Sequence, residues 1–153
     1  MGLDNMPLDD PCMYEYDLNV DDVDGGCDAL QKCDKCPWIR DMGKEPGAAY
    51  GMFGRPCWYR GKMGNYLLRM LIDSGESPPT DFYGEGIDTN TEGISSRDCI
   101  ILADWMEERV DVFTKVIAIE EPDADPQDSD NMYAYAIKWL RFVSKYGGSA
   151  IWY

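Results

Sequence analysis

The strongest pattern in the chain is an apolar repeat at helical spacing. Cys99, Leu102, Ala103, Met106, Val110 and Phe113 recur every three or four positions, and Asp104, Glu107, Glu108 and Asp111 fall towards the other side. This predicts an amphipathic helix with a core stripe and an acidic outer face. Ser95 or Ser96 would cap it, and Ser95 with Asp98 resembles a capping box with a shortened acid. The segment VIAIE, residues 116–120, fits either a continuation of that helix or a short strand.

Two further helices follow from the same reasoning. From Asn65 to about Ser74, Leu67, Leu68, Met70, Leu71 and Ile72 are apolar over most of the circumference, which calls for burial. Gly75, Pro78 and Pro79 would stop this helix. From about Asn131 to Tyr146, Met132, Tyr135, Ala136, Trp139, Leu140, Val143 and Tyr146 cover a wide apolar arc. Asp128 to Asp130 would cap it and Gly147 would end it. Lys138, Arg141 and Lys145 form a narrow basic stripe opposite, near the helix end where the macrodipole favours cations.

Between these elements the pattern lapses. Residues 1–25 are rich in Asp, Pro and Asn and read as extended or irregular. NVDDVDGG invites a calcium-loop reading, but with Gly25 at position 6 the ligand positions 1 and 12 fall on Val20 and Gln31, so the match fails. Residues 81–93 hold three glycines and no lasting period and read as a long surface loop. DADPQDSD, residues 123–130, reads as a loop that ends in a helix cap. The apolar tail SAIWY suits packing on the body or on a partner. The expected fold is mainly α, with α+β as the alternative. It comprises one domain over 1–153, with an irregular Cys-rich module at 1–57 packed against a body of three helices at 58–153.

Composition narrows the function. The 153 residues are 44% hydrophobic and 12% aromatic, enough for a real core. No stretch approaches the roughly 20 apolar residues that span a bilayer. The start, MGLDNMPLDD, has neither the basic nor the apolar region of a secretory leader, so a cytoplasmic location is expected. Twenty-nine acids face fourteen bases, for a formal charge of -15. That charge disfavours direct nucleic-acid binding. It suits either a solvated surface or a nucleic-acid mimic, whose carboxylates occupy the Lys and Arg that would hold phosphates.

Five of the six cysteines lie in the first 57 residues. Cys33 and Cys36 form a CxxC, a spacing that turns two thiolates onto one ion. With no histidine in the chain, a soft-metal site must be thiolate-rich. The best structural zinc set is Cys33, Cys36, Cys57 and Cys27, with Cys12 as a substitute ligand. Disulfides, free thiols and an iron–sulfur cluster are the alternatives. Cys99 sits on a core stripe and reads as a small core residue.

One segment reverses the charge. From Ala48 to Ile72 there is no acid, while Arg55, Arg60, Lys62 and Arg69 give +4, which leaves -19 for the remainder. Arg60, Gly61, Lys62, Gly64 and Asn65 lead directly into a helix, whose first N–H groups attract anions. With Arg55 they make a candidate site for a phosphate or carboxylate, or else pair with the surplus carboxylates of the chain. The register is not that of a P-loop: Pro56 replaces its first Gly and Met63 its magnesium-binding Ser or Thr. Without histidine, catalysis would rest on groups such as Asp81, Glu85 and Asp88, and an enzyme is the least favoured class. The first expectation is a small acidic interaction or regulatory protein, of viral or microbial accessory type, with a protein partner. A nucleotide-binding module is the alternative, and a carboxylate-based enzyme the second alternative.

Overall fold

A computed structural model describes residues 4–16, 37–42, 57, 59–79 and 93–152. These are mainly helical, with one small sheet. In chain order they form β1 (Asp4–Pro7), α1 (Pro11–Tyr16), α2 (Pro37–Met42), β2 (Tyr59–Arg60), α3 (Gly61–Asp73), β3 (Ile94–Ser95), α4 (Ser96–Glu107), α5 (Val110–Glu120), α6 (Pro126–Val143), a 3-10 turn at Ser144–Tyr146 and β4 (Gly148–Trp152).

The core lies between α4 and α6. Leu102, Ala103 and Met106 on α4, and Ala136, Leu140 and Val143 on α6, are fully buried. The anticipated stripe is buried at Cys99, Leu102, Ala103, Met106 and Phe113, but Val110 is exposed, and one helix has become two. At Arg109 the backbone turns to φ -115°, ψ 17°, and the chain restarts as α5. The apolar repeat runs through the break because Phe113 still faces inward, stacked on Tyr133 with centroids 4.4 Å apart. Residues 116–120 are therefore helical, with Ile117 buried.

One helix starts where its sequence implies, and two start earlier. Ser95 Oγ accepts the Asp98 N–H at 3.1 Å and donates to the Asp98 carboxylate at 2.8 Å, close to the expected cap. The last helix begins earlier than Asn131. Asp125 is its cap, accepting the Gln127 N–H at 2.9 Å, and Pro126 is its first residue. Proline suits that position because its missing N–H would have had no partner there. α3 likewise begins at Gly61 rather than Asn65.

The tail that looked merely apolar is an inner strand. The sheet order is β2-β1-β4-β3, all antiparallel, with Asp4 opposite Trp152 and Ile94 opposite Ser149. A left-handed pair, Gly147 at φ 84° and Gly148 at φ 95°, turns the chain from the last helical turn into β4. A side chain at Gly148 would meet the Ile94 carbonyl at 2.1 Å, so only glycine lets the two strands approach this closely.

Within the stretches read as irregular, β1, α1 and α2 are regular. Trp38 of α2 is 2% exposed and packs on Tyr135 and Phe142, with centroids at 5.3 and 5.0 Å. Tyr59 stacks on Tyr135 at 5.9 Å and packs at a tilt on Trp139 at 5.1 Å, completing an aromatic cluster. Arg40 grips Glu15 of α1 through two bonds of 2.5 and 3.1 Å, and Tyr146 donates its O–H to the same carboxylate. Cys27, Cys33 and Cys36 lie outside the described residues, as do Arg55, Asp81, Glu85 and Asp88.

Candidate functional site

The glycine-rich basic segment is a strand-to-helix junction. β2 ends at Arg60 and α3 begins at the next residue, so Gly61, Lys62, Met63 and Gly64 make up the first helical turn. The first four N–H groups of a helix lack intrahelical partners, and the junction presents them without an intervening loop. Gly64 is buried and Asn65 is half-buried. The Asn65 Oδ1 atom is buried with no hydrogen-bond partner among the described residues. Tyr59, two residues before the helix, is fully buried with its hydroxyl likewise unpartnered, and burial raises its pKa. The junction is fixed to the last helix where Trp139 Nε1 donates to the Cys57 carbonyl at 2.9 Å.

The acids gather elsewhere. Between Asp104 and Asp130 all ten acids are exposed, and the same stretch holds two bases, Arg109 and Lys115. Arg109 is absorbed structurally. Its Nε donates to Glu76 at 2.7 Å, its Nη1 to the Trp105 carbonyl at 3.1 Å, and its guanidinium lies 4.6 Å from the Trp105 ring centroid. This fastening coincides with the break between α4 and α5. Its only sequence signal was a lone base inside an acidic run.

The basic stripe on α6 is partly spent on the acidic face of α4. Arg141 donates to Asp104 at 2.8 Å and to Glu107 at 2.6 Å. One positive charge therefore bridges two carboxylates at the C-terminal end of α4. Beyond it, Glu120, Glu121, Asp123 and Asp128 form no ion pair among the described residues, and they follow Ile119, which is 76% exposed. Glu121 accepts from Tyr66 of α3. Burial first, and then this bond and the charge of Glu121, raise the Tyr66 hydroxyl to about 12.

Among the described residues no group of three or more His, Cys, Asp or Glu is placed to hold a metal ion. Cys12 and Cys57 are half-buried, and Cys99 is fully buried on α4 as its spacing implied. No described helix is long and apolar enough to cross a membrane. No family model, curated protein or solved structure matches the chain.

Proposed function

We propose that the chain is a small acidic interaction protein that binds a partner with a basic surface, in the manner of a nucleic-acid mimic. The observation that carries this reading is the exposed run Glu120, Glu121, Asp123, Asp125 and Asp128, set beside the exposed Ile119 and in no ion pair with a base among the described residues. Carboxylates in water interact weakly one at a time, but an array competes with a phosphate backbone for the same Lys and Arg. The charge is patterned rather than evenly spread, because Arg109 and Arg141 are consumed by Glu76, Asp104 and Glu107.

The test is an immobilised-chain binding assay with purified basic nucleic-acid-binding proteins. Specific association should weaken steeply with salt, be displaced by duplex DNA, and be lost when Glu120, Glu121, Asp123 and Asp128 are changed together to Gln and Asn. Association that is indifferent to salt or to that variant would discard the reading.

A second reading places a phosphate-bearing ligand at the first turn of α3. Its support is the direct β2–α3 junction together with the buried, unpartnered Asn65 Oδ1, an acceptor suited to a sugar hydroxyl. A nucleotide panel should then raise the melting temperature, and Arg60→Ala with Lys62→Ala should abolish the rise. No rise with any nucleotide removes this alternative.

A further inference from the structure

A helix that is apolar around most of its circumference is normally buried on most sides. α5 breaks that expectation. Seven of its eleven residues, VDVFTKVIAIE, are apolar, yet only Phe113 and Ile117 are buried. Val110 is 39% exposed and Ile119 76%, Ala118 is exposed, and Val112 and Val116 are half-buried. The exposed side of α6, by contrast, carries Gln127, Asn131 and Lys138. Val112, Val116 and Ile119 follow one another at steps of four and three, so they share one face of α5. Steps of that kind are what a second helix needs to pack along a first. Val112 rests on the core, and the strip runs out from there to Ile119 in solvent.

Charge decides what covers the strip. Asp111 stands at its start and Glu120, Glu121 and Asp123 at its end, all exposed, against the one exposed base of α5, Lys115. α3, packed beside α5, adds Arg69 and Asp73, an exposed base and an exposed acid that cancel. A second copy of the chain would set the same acids against these, and each copy carries -15 overall. A purely apolar partner would desolvate the carboxylates without pairing them. We propose that α5 seats an amphipathic basic helix of a partner protein, with apolar residues on Val112, Val116 and Ile119 and with Lys or Arg opposite the acids. Such a partner presupposes that the chain is an acidic interaction protein, as proposed for it, and gives the basic surface a defined form. The eleven residues of α5 span roughly 16 Å, so a partner helix of about three turns covers them.

Fluorescence anisotropy on the full chain tests this, with labelled peptides of about three helical turns as probes. In one peptide leucines are spaced at steps of four and three among lysines. In the other the same residues are scrambled. The native chain should bind the spaced peptide at least about tenfold more tightly than the scrambled one. Ile119→Ser should weaken the spaced peptide by about tenfold and leave the salt dependence of binding unchanged. Leu8→Ser removes another exposed apolar side chain, beside Gly147 rather than on α5, and should change nothing. Glu120→Gln, Glu121→Gln, Asp123→Asn and Asp128→Asn together should flatten the salt dependence. No preference for the spaced peptide, or an Ile119→Ser loss no greater than that of Leu8→Ser, would overturn the seat on α5. If the acid variant still loses binding in that case, the acidic interaction reading survives. Binding indifferent both to the acid variant and to salt would remove the two together. A native chain that sediments as a dimer, beside an Ile119→Ser chain that sediments as a monomer, would put a second copy on the strip and overturn the proposal.

Discussion

The indole N–H of Trp139 donates to the backbone carbonyl of Cys57 at 2.9 Å, joining the residue just before β2 to the C-terminal half of α6. The Trp139 ring is fully buried and also packs on Tyr59. One residue thus positions the approach to α3 and fills the core. Trp139→Phe removes the bond and part of the ring volume, and should cost about 1–3 kcal/mol in urea unfolding. An unchanged midpoint would mean that the Cys57 carbonyl is held equally well by water.

The two glycines after the 3-10 turn should differ sharply on substitution. Gly148→Ala places a methyl 2.1 Å from the Ile94 carbonyl and 2.8 Å from the carbonyl carbon of Ser95, both backbone atoms. With the strain of φ 95° added, a loss of at least about 2 kcal/mol is expected. At Gly147 the nearest obstacle, at 2.8 Å, is the side-chain oxygen of Asp9, which can swing away. Gly147→Ala should cost only about 1–2 kcal/mol, the left-handed strain alone. Thermal melts of the pair decide this, and equal losses would refute the close strand approach.

Stability should fall on the alkaline side in two stages. Burial, chiefly, pushes the Cys99 thiol from 9.0 to about 12, so the folded state disfavours its thiolate. The raised value means that its contribution is complete below pH 9 and is lost as pH climbs from 9 towards 12, at up to about 1.4 kcal/mol per unit. Tyr59 and Tyr133, also raised chiefly by burial from 10.0, join only above pH 10. Urea melts should therefore show a loss between pH 9 and 10 that Cys99→Ala flattens, followed by a steeper loss that it leaves in place. A variant with the same slope as the native chain in the first interval would exclude Cys99 as its source.

The cysteine set yields a chemical prediction. The proposal of structural zinc on Cys33, Cys36, Cys57 and Cys27 requires about one metal per chain by elemental analysis, with the thiols protected until a chelator is added. Cys33→Ser should lose the metal and lower the melting temperature. A metal-free chain with all six cysteines titrating as thiols would eliminate the site.

What the sequence disclosed follows a physical divide. The core stripe of α4 and the wide arc of α6 were legible because burial of Leu102, Met106, Trp139 and Leu140 imposes a period that few other arrangements satisfy. The division at Arg109 was not legible, because Phe113 and Ile117 keep the same inward phase on both sides of it. The start at Pro126 was not legible, because the polar run 123–130 reads as a loop, although proline is favoured as the first helical residue. The strands were hidden by their length. β2 and β3 have two residues each, too few to show alternation, and β4 was seen only as an apolar tail. At the basic junction the helix is expected from Asn65, whereas Gly61 and Gly64 are already helical. Their residue types were legible, and their conformation depended on the β2 pairing with Asn5 and Asp4.

The pairing of Asp4 with Trp152 also bears on how the molecule is made. On a ribosome β1 emerges before every other described element, and β4 after all of them. The pairing of β1 with β4 must wait until residue 152 has emerged, although β1 can meet β2 earlier, while α3 to α6 can condense from local contacts as they appear. Such distant pairings close slowly. A translating chain should accordingly pass through a helical stage in which the β4-facing edge of β1 is unpaired, the interval when chaperones would find it most readily.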